Sequence, residues 1–290
     1  MSGELLRRMR PSLGTLVELR VEGLDAVRAT RACEQAFAEI AMIHQLMSFH
    51  ESGSDLDRLH RASAGTPVRV DARTYDVLDQ ALCIAAATQG RFDPTVAAQQ
   101  VDRGLLPRPA SPWSPDPAAR WPDIELVGRC QVRLARPLWI DLGGIAKGYA
   151  VDRAVGILAA AGGAQVSVNA GGDIRVAGPH SETINLRMHA GIVKLPALEI
   201  VDAAVATSAG PFHGAGGHVA AIHVNGRTRR PVGARRVVSV VAPRCIVADA
   251  LTKVIMAGDS HVALQALEQF DAQARVHVSG QGWLPIGAAA

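Results

Sequence analysis

The spacing of apolar residues divides the first third of the chain into strand and helix. Apolar and polar residues alternate in "LGTLVELRVEG" (13–23), and this two-residue period predicts a strand. Residues 25–49 instead repeat apolar side chains at the spacing of one helix face, which predicts a long helix. The same spacing predicts a second helix over 73–90, which Gly90 ends.

The remaining two thirds of the chain mix both patterns without a regular βαβ period. Strand patterns occur at 132–142, 164–170, 171–178, 184–189, 197–208, 218–226, 237–243 and 274–279. Helix patterns occur at 145–161, 245–258 and 261–270. This irregular order predicts an α+β fold with mixed β-sheets and packed helices rather than a doubly wound fold. Six prolines in residues 104–122 predict a surface loop.

Composition excludes several classes of protein without changing this picture. Hydrophobic residues make up 48% and charged residues 20% of 290 residues, enough for one large domain or two intimately packed lobes. Aromatic residues make up only 4%, which argues against the stacking platforms that bind single-stranded nucleic acid. The net charge of +3 suits an anionic small molecule as well as a macromolecule and does not decide between them.

The cysteines and the N-terminus bear on the cellular compartment. The four cysteines, at 33, 83, 130 and 245, form no CxxC pair, so neither a zinc site nor a disulfide framework is indicated. The N-terminus lacks the apolar region of a signal peptide, and no run reaches the ~18 apolar residues of a membrane span. We therefore expect no membrane span and a cytoplasmic location, or a periplasmic one if a leader was removed.

The stretch "DLGGIAKGYAVDRA" (141–154) places Asp141, two glycines and Lys147 within seven residues, where a strand pattern meets a helix pattern. Glycines let a ligand approach backbone N–H groups at a helix N-terminus, and Lys147 would add charge for a phosphate. An ordinary strand-to-helix turn with a solvated lysine is an equally good interpretation of this motif alone. A second Gly-Gly turn, in "NAGGDIR" (169–175), could face the same ligand.

The segment "ADALTK" (248–253) suggests a metal site. It places Asp249, Thr252 and Lys253 on one helical face, and a carboxylate and a hydroxyl are ligands suited to Mg²⁺. On the motif alone, a polar stripe on an amphipathic helix is the simpler interpretation.

Two further clusters leave their function open. Three histidines, at 213, 218 and 223, suggest a metal site, but their Gly-rich context favours a mobile loop. The basic cluster "NGRTRRPVGARR" (225–236) is compatible with phosphate or protein contacts and equally with a solvated hairpin.

Taken in order, these segments resemble the FAD:protein FMN transferase family, also called ApbE. The matching segments are "LGT" (13–15), "MSFHESGSDLDRLHR" (47–61), "FDPTV" (92–96), "IDLGGIAKGYAVDRA" (140–154), "VNAGGDIR" (168–175), "ATSAG" (206–210) and "VADALTK" (247–253). They extend over nearly the whole chain. The combination of "IDLGGIAKGYAVDRA" followed by "VNAGGDIR" is highly specific. The resemblance implies a single flavin transferase domain over 1–290 with an ApbE-like, T-fold-like architecture.

The resemblance also implies an activity and a set of site residues. It implies Mg²⁺-dependent transfer of FMN from FAD to a threonine of an acceptor protein, with release of AMP. The implied FAD-binding residues are Leu13, His50, Arg91, Phe92, Asp93, Asp141, Lys147 and Ile222. The implied Mg²⁺ ligands are the Gly144 carbonyl, Asp249 and the position four residues later, which is Lys253, with Thr252 one residue earlier. His223 is a candidate base, and Asp249 is the second catalytic candidate.

The chain departs from the family pattern at two places. Lys253 replaces a threonine. We expect Thr252 to take that place while Lys253 turns away or pairs with a phosphate; alternatively, Lys253 itself stands where the charge of the metal would be. In "IHVNGRTRRP" (222–231), Asn225, Gly226 and Arg229 replace an aspartate, a proline and a glycine.

Three other functions are compatible with parts of this sequence. A Mg²⁺-dependent FAD pyrophosphatase, with water as the acceptor, would use the same residues. A non-catalytic FAD-binding protein is favoured by the altered metal helix. Nucleic-acid binding through the basic cluster is opposed by the few aromatic residues and the low net charge.

Overall fold

The computed structural model describes residues 5–185, 197–210, 223–232, 236–258, 260–278 and 282–286. Its helices are α1 (Ala26–Met47), α2 (Asp55–Arg61), α3 (Ala72–Ala87), α4 (Ala97–Asp102), α5 (Ala146–Ala160), α6 (Cys245–Met256) and α7 (Ser260–Gln269). Its strands are β1 (Leu6–Ser12), β2 (Thr15–Glu22), β3 (Pro67–Arg69), β4 (Ile124–Gly128), β5 (Gln131–Leu134), β6 (Gln165–Ala170), β7 (Asp173–Ala177), β8 (Glu182–Asn185), β9 (Ala197–Ile200), β10 (Ala204–Ala209), β11 (Arg236–Ala242), β12 (Gln273–Val278) and β13 (Gly282–Ile286).

An eight-stranded sheet forms the centre of the fold, in the order β1-β2-β6-β7-β10-β11-β12-β13. A three-stranded sheet, β3-β5-β4, and the hairpin β8-β9 accompany it, and neighbouring strands pair antiparallel throughout the described chain. Helices α5 and α6 pack side by side on the large sheet, with α1 against α5. This arrangement confirms the predicted α+β class.

Each face of the large sheet is covered differently. Alternate residues of the strands enter the main core under the helices, as Val17, Leu19 and Val21 of β2 do. On the opposite face, a smaller apolar cluster joins β7 and β10 to the hairpin β8-β9. Its members are Ile174, Val176, Ile184, Leu198, Ile200 and Val205.

The long predicted helix forms as α1 because its buried residues follow one helix face. They are Ala29, Ala32, Cys33, Ala36, Phe37, Ile40, Ile43 and Met47. Asp25 caps the helix, accepting a hydrogen bond of 2.9 Å from the backbone N–H of Arg28.

Two predicted strands differ from the structure for local reasons. The pattern at 132–142 continues as a strand only to Leu134, and Pro137, which lacks a backbone N–H, lies in the non-strand remainder. The pattern at 197–208 divides into β9 and β10, with Asp202 between them at a φ of 40°. Most of the predicted strand at 218–226 lies outside the described residues.

The proline-rich segment lies against the residues that lead into the first Gly-Gly turn. Residues 104–120 contain neither helix nor strand. The Ser111 hydroxyl donates to the His60 carbonyl at 2.6 Å, and the Asp116 N–H donates to the Pro137 carbonyl at 2.8 Å. The guanidinium of Arg108 lies 5.4 Å from the centre of the Trp139 ring.

His60 fastens α2 to the backbone just before Asp141. Its buried Nε2 accepts a hydrogen bond of 2.9 Å from the Ile140 N–H, which requires that nitrogen to carry no proton. Burial lowers the pKa of His60 to about 4. The imidazole is therefore neutral at physiological pH and serves as a structural acceptor.

This histidine predicts acid-sensitive stability. Its pKa is lower in the folded chain than the ~6.5 of an unfolded chain, so the unfolded state binds the proton first. The contribution of His60 is complete above pH ~6.5 and is lost as the pH falls to about 4, by up to ~3 kcal/mol. Urea denaturation between pH 7 and 4.5 measures the loss. His60→Gln, which keeps an acceptor but does not titrate, should show a weaker dependence; equal slopes would contradict this assignment.

None of the helices in the described ranges has the length and apolar character needed to cross a bilayer.

Candidate functional site

Two turns that contain sequence motifs lie side by side at one end of the large sheet. The β1–β2 hairpin turns at Leu13 and Gly14, which both have positive φ, and the β6–β7 hairpin turns at Gly171 and Gly172. The pairing of Val17 with Ala170 places these two turns side by side. A Cβ on Gly171 would lie 2.6 Å from the Thr15 hydroxyl oxygen, so this contact requires glycine.

A cleft of about 770 Å³ with a mixed polar and apolar lining adjoins the same turns on the sheet face away from the helices. Its lining includes the Gly171–Gly172 turn, Asn169 and Thr207, and the basic side chains of Arg7 and Arg20. This volume is within the ~300–1,000 Å³ of small-molecule sites.

Lys147 joins the two Gly-Gly motifs across the helix face of the sheet. Its ammonium, in the first turn of α5, lies 3.0 Å from Oδ2 of Asp173, which directly follows the second Gly-Gly turn. Burial opposes charge on Lys147, but the carboxylates of Asp173 and Asp249 outweigh it and raise its pKa. Burial and the nearby Asp249 carboxylate raise the pKa of Asp173 to about 6.

Asp249 lies fully buried in α6 between α5 and Lys253. Its Oδ2 accepts a hydrogen bond of 3.2 Å from the Gly148 N–H. Its Oδ1 pairs with the Lys253 ammonium, which also donates to the Asp249 carbonyl at 3.1 Å. Two carboxylates, Asp173 and Asp249, and two ammonium groups, Lys147 and Lys253, thus form one cluster, hereafter the four-charge cluster.

Thr252 faces the sheet rather than the Asp249 carboxylate. Its buried hydroxyl donates to the Asp249 carbonyl at 2.6 Å and lies 2.8 Å from the Ser208 hydroxyl of β10. The expectation that Lys253 turns away from Asp249 was wrong. Residues four apart are neighbours on a helix, and the long lysine side chain reaches back to the carboxylate, whereas the short threonine bonds to the backbone.

The implied Mg²⁺ ligands do not fit a magnesium ion in this arrangement. The Lys253 side chain lies beside Gly144, where an added Cβ would be 3.4 Å from the lysine Cε. A protonated amine cannot ligate a cation and repels it. Across the part of the chain that the structure describes, no three His, Cys, Asp or Glu side chains are grouped to hold a metal ion.

Lysine is rare in this chain. Of its 30 lysine and arginine residues, only three are lysines, at 147, 194 and 253. The two that the structure describes are both in the four-charge cluster. Arginine occupies the other basic positions of the described residues. The presence of lysine at 147 and 253 therefore favours a role that needs a compact ammonium rather than a guanidinium.

Three consecutive residues implied to border FAD, Arg91, Phe92 and Asp93, differ in their contacts. Phe92 lies beside the Gly-Gly turn, where an added Cβ on Gly144 would be 3.6 Å from its ring, and the neighbouring Arg91 is buried. Asp93 is instead committed within the protein, because its Oδ2 accepts a 2.8 Å hydrogen bond from Arg229.

Arg229 stands where the resembled family has glycine, and its backbone shows why glycine suits that position. Its φ is 58°, in the left-handed region that favours glycine. Gly226 of the same loop fits tightly against residues 90–93, because an added Cβ would lie 2.6 Å from the Asp93 Cβ. For the basic cluster, phosphate or protein contacts and a solvated hairpin were left open; within it, Arg229 packs in the protein and holds residues 90–93 through Asp93.

Of the remaining implied residues, Asp141 belongs to the first Gly-Gly turn, whereas Leu13 lies beside the second. Asp141 closes the first turn, its Oδ1 accepting a 2.9 Å hydrogen bond from the Gly143 N–H, and burial raises its pKa. His50 and Lys253 lie close enough to Asp141 to oppose that shift. His50 itself is exposed, beyond the end of α1, and Leu13 is partly buried in its hairpin turn at a φ of 53°.

His223 lies near the four-charge cluster. Burial and, next, the charge of Lys253 lower its pKa to about 4, while a hydrogen bond to the Ala209 carbonyl opposes this. The imidazole is therefore neutral at physiological pH. Ile222, His213 and His218 lie outside the described residues.

Two further carboxylates, Asp173 and Asp152, lie at or next to the site, although no motif in the sequence pointed to them. Asp173 pairs with Lys147, and its signal was its position directly after the second Gly-Gly turn. Asp152 accepts hydrogen bonds of 2.8 and 2.9 Å from the N–H groups of Cys245 and Ile246. It thereby caps the N-terminus of α6, which the Arg244 side chain leaves uncapped.

Known proteins with similar sequences carry the name of the family that the motifs resemble. A family model described as the ApbE family matches residues 13–277. The FAD:protein FMN transferase of Chlamydia pneumoniae is 29% identical over 234 residues, which are 72% of this chain and 70% of that protein. The protein of the same name from Rhodobacter capsulatus is 30% identical over 178 residues, 58% of this chain and 34% of that one.

Solved structures show the same fold over nearly the whole chain. The ApbE protein of Thermotoga maritima matches with a TM-score of 0.82 at 23% identity and covers 97% of both chains. The flavin transferase ApbE of Vibrio cholerae matches with a TM-score of 0.76 at 21% identity, over 98% of this chain and 96% of that one.

Proposed function

The chain belongs to the ApbE family, and on this premise we propose that it transfers FMN from FAD to a threonine hydroxyl of an acceptor protein, releasing AMP. The name that the curated relatives carry, FAD:protein FMN transferase, supports FAD as the donor and a protein as the acceptor. The observation that carries the proposal is the 3.0 Å pair between Lys147 and Asp173, which joins both Gly-Gly motifs at the sheet end where Leu13 also lies.

The proposed reaction forms one P–O bond and breaks another. The threonine oxygen attacks the phosphorus on the FMN side of the pyrophosphate, and AMP leaves with the bridging oxygen. The hydroxyl proton passes to a base, for which neutral His223 is the candidate near the four-charge cluster. No oxidant or reductant is needed.

Electrostatic stabilisation is the main contribution that the chain can make to this reaction. Phosphoryl transfer depends on neutralising charge on the phosphate oxygens and on positioning the attacking and leaving groups. Lys147 keeps its proton between two carboxylates and is partly exposed, so its charge can serve a phosphate. Magnesium was expected to share this task, but the residues present do not fit it, and we assign it no step.

The test uses FAD and the proteins of the source organism as acceptors. Flavin that remains fluorescent on a protein band after denaturing electrophoresis, together with AMP released in equal amount, supports the transfer. Mass spectrometry then identifies the modified residue, and any residue other than threonine contradicts that part of the proposal. Release of FMN and AMP without a labelled protein would favour the pyrophosphatase alternative, and no release at all would favour simple FAD binding.

Lys147→Ala should weaken FAD binding by ~1–3 kcal/mol, the range for a charge-assisted contact. Fluorescence titration of the flavin measures the affinity. Riboflavin has no phosphate, so its affinity should not change. Arg153→Ala alters an exposed cation of the same helix that pairs with Glu39, and it should leave FAD binding intact. Equal losses for FAD and riboflavin would contradict a phosphate contact.

A further inference from the structure

We propose that the Lys253 ammonium replaces a divalent cation in this site, so that the chain binds the FAD pyrophosphate without a metal ion. This inference rests on the proposed function, because it concerns the same FAD site. It assigns a specific task to the residue at which the chain departs from the family pattern.

The position of Lys253 supports the replacement. Its ammonium contacts Oδ1 of the buried Asp249 and donates to the Asp249 carbonyl at 3.1 Å. Its Cε passes 3.4 Å from where a Cβ on Gly144 would lie. The lysine therefore fills the space between Gly144 and Asp249, the two residues between which the metal was expected.

The charges of the site are balanced without an ion. The nearly inaccessible carboxylates of Asp173 and Asp249 face the ammonium groups of Lys147 and Lys253. A divalent ion added to this cluster would bring two further positive charges next to the ammonium that already contacts Asp249. Replacing Lys253 with a neutral residue would instead leave Asp249 in need of a cation.

The remaining candidate ligand is already satisfied. The Thr252 hydroxyl donates to the Asp249 carbonyl at 2.6 Å and pairs with Ser208 at 2.8 Å. A metal ion beside the Asp249 carboxylate would compete with these contacts for the Thr252 hydroxyl, in a fully buried position.

The rarity of lysine is an independent argument. A chain that uses lysine at only three positions has placed two of them within one cluster of charges. A compact ammonium is closer in size to a metal ion than a guanidinium is, and it directs its charge at a point. The competing view is that Lys253 forms an ordinary helix ion pair which opens whenever a metal ion and FAD bind.

The test compares the wild type with Lys253→Thr and Lys253→Met, in EDTA and in millimolar Mg²⁺. The wild type should bind FAD with the same affinity in both conditions. Lys253→Thr supplies the missing oxygen ligand and removes the ammonium, so its affinity should fall about tenfold in EDTA and return in Mg²⁺. Methionine is similar in length to lysine but has neither the oxygen ligand nor the ammonium. The FAD affinity that Lys253→Met loses should therefore not return in Mg²⁺.

Thermal unfolding without FAD gives a second measurement. Mg²⁺ should raise the melting temperature of Lys253→Thr but not that of the wild type, because only the variant has a carboxylate free for the ion. Wild-type FAD affinity that falls about tenfold in EDTA and recovers in Mg²⁺ would overturn the inference alone. A wild type that binds no FAD in either condition would overturn the proposed function together with it.

Discussion

Replacing Gly148 with alanine should destabilise the fold by ~3 kcal/mol, the upper range for overpacking a core. Gly148 lies where α5 crosses the beginning of α6. An added Cβ would be 2.7 Å from the Cys245 carbonyl carbon and 2.8 Å from the Ile246 Cα, and closer still to the Cys245 carbonyl oxygen. These are backbone atoms that cannot rotate away, so the two helices would have to separate.

Urea denaturation measures this effect, and the same helix supplies the control. Gly156 has no atom within 4 Å of an added Cβ, so Gly156→Ala should stabilise α5 by ~0.5–1 kcal/mol. Opposite shifts of the two midpoints are therefore expected from the same substitution at positions eight residues apart. A Gly148→Ala protein as stable as the wild type would show that α5 and α6 are not packed as described.

Asp249→Asn should lower turnover by ~10²–10³, the loss seen when one preorganised electrostatic contact of an active site is removed. Asparagine has the same shape and can still accept the Gly148 N–H. It cannot balance the charge of Lys253, which would lose the partner that fixes its position. AMP release at saturating FAD measures turnover, and thermal unfolding shows whether the variant remains folded.

Asp202→Asn is the matched control for this prediction. Asp202 is an exposed aspartate with a φ of 40°, a conformation that asparagine adopts readily, and it pairs with Arg175 at 3.0 Å. The same chemical change should leave AMP release unaltered there. If both variants retained wild-type turnover, Asp249 would have no part in the reaction.

Much of the secondary structure could be predicted because local patterns determine it. Helices α1, α5 and α6 follow their apolar periodicity to within a few residues. Strand β1 was not predicted, and neither were β3, β4 and β13, whose three to five residues carry little pattern of their own. The antiparallel order of the large sheet depends on contacts between distant segments and was not accessible either.

The candidate site was predictable only as far as its motifs lie in single segments. Lys147 and Asp249 were singled out from their own surroundings in the sequence. Asp173 was missed because its contact with Lys147 arises from packing of α5 on the sheet. For Lys253, helical spacing showed which residues were neighbours. The competition between threonine and lysine for Asp249 was decided by side-chain length and by the contact of Thr252 with the partly buried Ser208.

The small number of lysines makes the site open to direct spectroscopic observation. Reductive methylation with ¹³C-formaldehyde adds labelled methyl groups to amines and preserves their positive charge. With only three lysines in 290 residues, the carbon spectrum would contain few signals besides that of the terminal amine, and two would come from Lys147 and Lys253. Adding FAD or Mg²⁺ would then report on each ammonium separately, in an otherwise unlabelled protein of 30.5 kDa.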